Sequence, residues 1–201
     1  MTTLSSPAPK GKSAAERIRE TARRMFYREG IRAVGVDAIV HEAGVTKPSL
    51  YRAFSSKDEL AATYLRDYEA EFWKRFEAGM AEHPDDPRAQ LMMYFDVLAQ
   101  RATQLHDYRG CGLSNAVVEY PEVGHPARRV AVEHKRVLHQ RLQDMARGMG
   151  ARDPQELGDA LMLLMEGAFM TGQLFSSPDG PARSLVAAAQ RLIDASLPAK
   201  P

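Results

Sequence analysis

Between Gly35 and Lys57 the chain reads Gly-Val-Asp-Ala-Ile-Val-His-Glu-Ala-Gly-Val-Thr-Lys-Pro-Ser-Leu-Tyr-Arg-Ala-Phe-Ser-Ser-Lys, and few local structures accommodate that order. Val36, Ile39, Val40 and Ala43 recur at helical spacing. Gly44 follows, free to take the left-handed conformation that ends a helix. Val45 is an apolar plug. Thr46 brings a hydroxyl able to cap a new helix. Pro48 is tolerated in a first turn, where the backbone N–H has no helical partner. Leu50 and Phe54, four apart, give the second helix an inward stripe, and Lys47, Ser49, Tyr51 and Arg52 form its outer face. Two short helices joined by a tight turn, the second cationic and rich in hydrogen-bonding groups, make a helix-turn-helix. The second helix of such a pair fits a DNA major groove.

Charge singles out the same part of the chain. The 201 residues carry a formal net charge of only +1, which taken whole looks unlike a nucleic-acid binder. Residues 1–57, however, hold 11 Lys/Arg against 5 Asp/Glu, a net of +6, and residues 58–201 hold 16 against 21, a net of −5. A basic head on an acidic body brings only the head to a polyanion, and repulsion of the body orients the docking. With 44% hydrophobic residues, a sizeable core can form. Cys111 is the single cysteine, which excludes an internal disulfide framework and fits a reducing cytosol. Met1 to Gly11 is polar rather than a basic-then-apolar signal segment. The run from Ala160 to Met170, interrupted by Glu166 and Gly167, falls short of the roughly 20 residues of a membrane span. The expectation is a cytoplasmic protein with no membrane partner.

Periodicity divides the chain into three parts. Residues 1–12 show none and read as a flexible arm, whose Lys10 and Lys12 are either frayed surface or DNA-backbone contacts. Residues 13–57 form the helix-turn-helix domain. Its first helix opens on a capping box, Ser13 with Glu16, buries a stripe of Ala15, Ile18, Ala22, Met25 and Phe26, and ends at Gly30. Arg17, Arg23, Arg24 and Arg28 fall mostly on its other faces, as solvated charge with one or two phosphate contacts among them. Residues 58–201 form the body. Ser56 with Glu59 starts a long helix to about His83, along which Leu60, Tyr64, Tyr68, Phe72 and Phe76 fall four apart beside Trp73. That stripe suits core packing, or the aromatic wall of a ligand pocket.

A break at residues 83–87 precedes a helix from about Arg88, with Leu91, Phe95, Leu98, Ala102 and Leu105 inward. A turn-rich join at 107–112 leads to a short helix ending before Pro121. A long helix then runs from Pro126 to about Met149, with apolar Val130, Val137, Leu138, Leu142 and Met145. Asp153 and Glu156 cap the next, which reaches about Phe175. From Ala160 to Met170 it is apolar nearly all round apart from Glu166, more than one core can cover, so its second face calls for a second copy of the chain. The last helix offers Leu185, Val186, Ala189, Leu192 and Ile193 for close packing. The expected homodimer interface is Leu161, Leu164, Met165, Ala168, Phe169, Leu185, Ala189, Leu192 and Ile193. No strand-like alternation occurs. The fold class is all-α: a three-helix DNA-binding domain followed by a helical ligand-binding and dimerisation domain.

The segment Gly30-Ile31, Val36-Asp37-Ala38-Ile39-Val40 and Ala43 through Leu60 resembles the DNA-binding domain of tetracycline-repressor-like (TetR) transcription regulators. Ala-Gly-Val-Thr-Lys, Leu-Tyr-x-x-Phe and Ser-Lys-Asp-Glu-Leu stand in that family's order and spacing, over roughly residues 13–65. Gly110-Cys111, Asn115, Glu119-Tyr120-Pro121, His125-Pro126 and His134-Lys135 look like the body of one subset of it. One position departs: Gly35 stands where the family usually has Thr or Ser, so the helix loses a capping hydroxyl that often holds a phosphate. The resemblance implies a homodimer on a palindromic operator of double-stranded DNA, by family default a repressor. Lys47 and Arg52 then go to guanine edges or phosphates, Ser49 to a base or phosphate, and Thr46, Tyr51 and Lys57 to phosphates. The backbone N–H of Gly35 or Val36 substitutes for the missing hydroxyl, and Pro48 lies on the same DNA-facing edge.

A body of this kind is expected to hold a small-molecule effector. Candidate pocket residues are Tyr68, Phe72, Phe95, Leu98, Cys111, Asn115, Glu119, His134 and Leu138. Cys111, between two glycines and near Arg109, is either an incidental thiol or a reactive one that senses electrophiles. The six histidines are scattered, and His134 and His139 are five apart, not the three or four that put two ligands on one helix face. No metal and no cofactor are expected. An enzyme reading, built on Cys111, Glu119, His125 and His134, has no phosphate loop, nucleophile elbow or metal-ligand spacing behind it, so no catalytic residue is assigned. A purely architectural DNA binder would leave the acidic body unexplained.

Overall fold

The computed structural model describes residues 11–104, 106–175 and 177–198. Among them all regular structure is helical: α1 Ala14–Glu29, α2 Val36–Glu42, α3 Lys47–Ala53, α4 Lys57–Met80, α5 Pro87–Gln104, α6 Gly112–Glu119, α7 Pro126–Gly148, α8 Pro154–Phe175, a 3-10 turn Pro181–Ser184 and α9 Leu185–Ser196. Lys10 and most of the N-terminal arm, and Leu105 of the fifth helix, lie outside the described residues.

The helix starts follow the capping chemistry written in the chain. Ser13 accepts from the Glu16 backbone N–H while the Glu16 carboxylate accepts from Ser13, closing the capping box at α1. Ser56 caps α4 through the Glu59 N–H at 3.1 Å, but the return bond is replaced by one from Arg66 to the Glu59 carboxylate. Asp153 caps α8 through the Glu156 N–H at 2.9 Å.

In the head, α1 packs on α2, α3 and α4 around Ile18, Ala22, Phe26, Ile31, Ile39, Leu50 and Leu60, all buried. Helix α4 then carries the chain into the body, its first turns in the head core and Phe76 and Met80 in the body core. There α7 packs along α8 and against α4 and α6, while α5 packs on α8 and α9.

Several expectations shift. Helix α4 ends at Met80, not His83: the Glu82 and His83 N–H groups already turn to the Gly79 and Met80 carbonyls three residues back, and Asp85 follows with a left-handed φ of 65°. Phe54 falls just past α3 as its C-terminal cap, in extended conformation, yet still packs half-buried on the head core. Val137 is 46% exposed rather than inward.

Helices α8 and α9 turn most of the expected interface residues inward. Leu161, Met165, Ala168, Phe169, Leu185, Ala189 and Ile193 are buried inside the protomer, and Leu164 and Leu192 are half-buried against the same core. A side chain already enclosed in one copy has little surface to offer another. The outer stripe of α8 is instead Leu163, Met170, Leu174 and Phe175, exposed by 73, 50, 70 and 54%. Among the described residues no helix is long and apolar enough to cross a membrane.

Candidate nucleic-acid interface and the cavity behind it

Helix α3 is placed by its two ends. At the turn, Gly44 adopts φ 62°, a conformation costly for any residue with a Cβ. Its carbonyl accepts a 3.2 Å bond from the Arg17 guanidinium of α1. Arg24 of α1 pairs with Glu42 of α2 at 2.8 Å. Two of the α1 arginines thus brace the motif. Thr46 caps α3 by accepting from the Ser49 N–H, and the two hydroxyls lie 2.9 Å apart. Leu50, fully buried, is the one residue of α3 inside the core.

The remaining face of α3 is open. Thr46, Lys47, Pro48, Tyr51 and Arg52 are exposed and Ser49 is half-buried. Tyr51, a large aromatic residue, is 48% exposed. Arg52 makes no hydrogen bond or ion pair among the described residues. Lys47 is held 3.0 Å from Asp37 of α2, and that contact raises its pKa, so it stays a cation. Lys57 is less available than its sequence position suggests. Its ammonium donates to the Arg32 carbonyl at 3.2 Å, and burial lowers its pKa.

Gly35 opens α2 with no side-chain cap. Its φ of −82° suits any residue, and a Cβ there would meet nothing within 4 Å. Gly35→Ser is therefore expected to raise stability by about 0.5 kcal/mol, through a cap and a stiffer unfolded chain. It should also tighten DNA binding through the added hydroxyl. Thermal melts and gel-shift titrations of the variant check both.

Besides the ion pairs Arg19–Asp67 and Arg28–Asp107, two clasps join the head to the body among the described residues. Tyr27 of α1 donates to the Gly110 carbonyl at 3.2 Å and accepts from the Arg109 N–H at 3.1 Å. Glu119, at the end of α6, accepts from the Arg32 N–H at 2.7 Å, and the Arg32 guanidinium donates to the Glu119 carbonyl and lies over the Tyr120 ring. Tyr120 stacks on His125, whose Nε2 is 3.4 Å from the Asp58 carboxylate of α4.

Behind the first clasp lies a cavity of about 290 Å³ between α4, α5 and the start of α6. Tyr68, Phe72, Leu98 and Cys111 line it, as expected from the sequence, with Phe76 of the same aromatic stripe; Tyr94, Arg101, Tyr108 and Phe169 also line it and were not anticipated as pocket residues. On α5, Tyr94 stands four before Leu98 and Val97 four before Arg101, a signal that the inward stripe alone obscured.

The other candidates sit elsewhere. Phe95 and Leu138 are enclosed core. Asn115 donates to the Arg109 carbonyl at 2.7 Å and braces the loop. Glu119 belongs to the Arg32 clasp. His134 is buried against the Phe72 and Trp73 rings, and burial, with help from Lys135, lowers its pKa to about 4, so it packs as a neutral imidazole.

Cys111 is buried at the cavity wall, with the Lys135 ammonium 3.5 Å from its sulfur. Lys135 is paired 2.6 Å from Glu166, which also accepts from the Ser114 hydroxyl. Burial works to lower the Lys135 pKa, but Cys111 and Glu166 outweigh it and the net shift is upward.

The exposed cationic helix on a braced turn defines a helix-turn-helix DNA-binding protein. Comparison with known proteins agrees. Residues 18–64 match the family model described as bacterial regulatory proteins, tetR family. A TetR-family transcriptional regulator from Streptomyces coelicolor superimposes with a TM-score of 0.85 at 30% identity, covering 91% of this chain and 95% of that one. A second such structure, from Streptomyces avermitilis, gives 0.80 at 31% identity, covering 92% and 98%. YxaF of Bacillus subtilis, an HTH-type transcriptional regulator, is 24% identical over 77% of this chain and 82% of its own. The chain belongs to the TetR family of transcription regulators.

Proposed function

We propose that the protein is a ligand-responsive repressor that binds a palindromic operator as a homodimer and releases it when a small molecule fills the body cavity. The observation that carries this reading is the loop at residues 108–111. Tyr108, Gly110 and Cys111 line the cavity, and the Gly110 carbonyl holds Tyr27 of the head. A ligand that moves this loop moves α1, and so the angle at which α3 is presented. It lowers operator affinity by its differential binding to the two states. The backbone at Gly110 has little slack: its φ is 65°, and a Cβ would lie 2.8 Å from the Phe169 carbonyl.

In the complex, Arg52 and Lys47 reach guanine edges or phosphates, Ser49 a base or phosphate, and Tyr51, Thr46 and Lys57 phosphates. The backbone at Gly35 takes a further phosphate, and Pro48 borders the groove. One seven-residue helix reads few base pairs, so specificity comes from two heads spaced by the dimer. The exposed stripe of Leu163, Met170 and Leu174 on α8 supports the second copy.

Tyr51→Ala is expected to weaken binding to all sequences. Arg52→Ala should cost about 1–3 kcal/mol and relax preference at one base pair. Gel-shift titrations on randomised operators measure both, and unchanged affinity in the two variants would remove α3 from the interface.

A second reading rests on Cys111. Its place in the cavity wall beside the Lys135 ammonium supports capture of an electrophile by the thiolate. Operator release by a maleimide in the native protein, abolished in Cys111→Ser, is the result this reading requires. A complex indifferent to alkylation and peroxide contradicts it.

A further inference from the structure

Two polar groups in the cavity lack what their chemistry calls for. Tyr108 is 7% exposed and lines the cavity, yet its hydroxyl has no hydrogen-bond partner among the described residues. A buried hydroxyl left unpaired is a standing cost, recovered by any acceptor that reaches it. Burial holds that phenol above its ordinary pKa, with Arg101 pulling the other way, so at neutral pH it is a donor.

Arg101 lines the same cavity, half-buried, with no carboxylate in ion-pair range among the described residues. Arg75, also on the lining, is already held 3.1 Å from Glu71. Apart from Glu82 and Cys111, the rest of the wall is apolar and largely aromatic. Tyr94 meets Phe76 and Phe72 edge-on, with centroids 5.4 and 6.2 Å apart, and Phe72 and Phe76 lie stacked at 5.8 Å. Rings arranged this way favour a flat guest. The volume, about 290 Å³, falls at the small end of ligand pockets, which run from about 300 to 1,000 Å³. Tyr68, Arg75, Arg101 and Tyr108 also line a wider cleft against α1, which opens the polar end of the cavity to solvent.

We propose that this cavity takes a small aromatic acid, its ring among Phe72, Phe76 and Tyr94 and its carboxylate held by the Arg101 guanidinium and the Tyr108 hydroxyl. The proposal rests on reading the cavity as the effector site and names the effector's chemical class. A guanidinium without a counterion selects an anion over a neutral acceptor, and the phenol fixes where the anion sits. Neutral and cationic rings of the same size fit the walls but leave one or both groups unanswered.

Calorimetric titration of the full-length protein without DNA tests it, with 1-naphthoate and its neutral isostere 1-naphthamide as probes. The carboxylate is expected to bind about tenfold tighter or more, the factor carried by one charge-assisted hydrogen bond. Arg101→Gln should erase that preference while leaving amide affinity in place, and Tyr108→Phe should weaken carboxylate binding. Equal affinity for the two probes in the native protein, no binding of either, or full carboxylate affinity in Arg101→Gln overturns the proposal. The native-protein comparison decides the matter even if a variant fails to fold. Gel shifts with the same probes separate the two readings. Carboxylate binding that leaves the operator complex intact upholds the acid site and removes the sensor. Release by the amide in preference to the acid upholds the sensor and overturns the acid site.

Discussion

Leu163→Glu combined with Leu174→Glu is expected to yield a folded monomer with operator affinity reduced about 10²–10⁴-fold. Both leucines are outside the protomer core, 73% and 70% exposed, so carboxylates there leave the fold of one chain undisturbed. In a two-fold dimer packed through α8 the same stripe meets its own copy. Each leucine buried there contributes roughly 1.5–3 kcal/mol. Four unpaired carboxylates brought to the dimer axis add desolvation and repulsion. The loss in DNA binding follows from geometry rather than from any contact to DNA: a monomer forfeits the effective concentration that the first bound head confers on the second. Sedimentation velocity reads the assembly state, circular dichroism the fold, and gel shift the affinity. A dimer that persists in the double variant moves the interface off this face.

Leu50→Ala should be the most damaging single truncation in the head, at about 2–5 kcal/mol. Leu50 is fully buried, and it is the only residue of α3 that is. A seven-residue helix has no stability of its own in water, so its orientation depends on that side chain, on the Thr46 cap and on the Phe54 anchor just beyond it. With about 3 kcal/mol lost, the melting temperature of a chain this size falls by roughly 6–12 °C. Operator binding should fail at temperatures where the body is still folded. Phe54→Ala, at a half-buried position, is expected to cost less. A Leu50→Ala protein with native melting and native operator affinity would show that α3 is held by something other than its packing.

What could be read from the chain was whatever is written within four residues. The caps at Ser13, Thr46 and Ser56 and the turn at Gly44 each depend on neighbours, and the helix starts and the turn follow from them. The order of helices and the break after α4 were legible for the same reason. Contacts between distant parts of the chain were not. Glu119 carries no local mark that its carboxylate will meet the Arg32 N–H, 87 residues away. Tyr27 gives no sign that it will hold the loop at Gly110.

On α8 the difficulty is different. A helix apolar on two faces announces that both will be covered, but not which one turns inward. The inward face proved to be Leu161, Met165, Ala168 and Phe169. The cavity falls between these cases. Its α4 wall was visible as an aromatic stripe. The donors that give it chemical character, Arg101 and Tyr108, lie on other segments, where nothing in the spacing ties them together.

Selection of bound DNA from a random pool by the native protein tests whether two α3 helices read one operator. An inverted repeat is expected, its half-sites centred about one turn of DNA or more apart, roughly 34 Å or a multiple. Arg52→Ala should lose information at the same base pair in each half. Enrichment of a single unrepeated site, or of no sequence at all, would contradict a dimer that reads DNA through paired α3 helices.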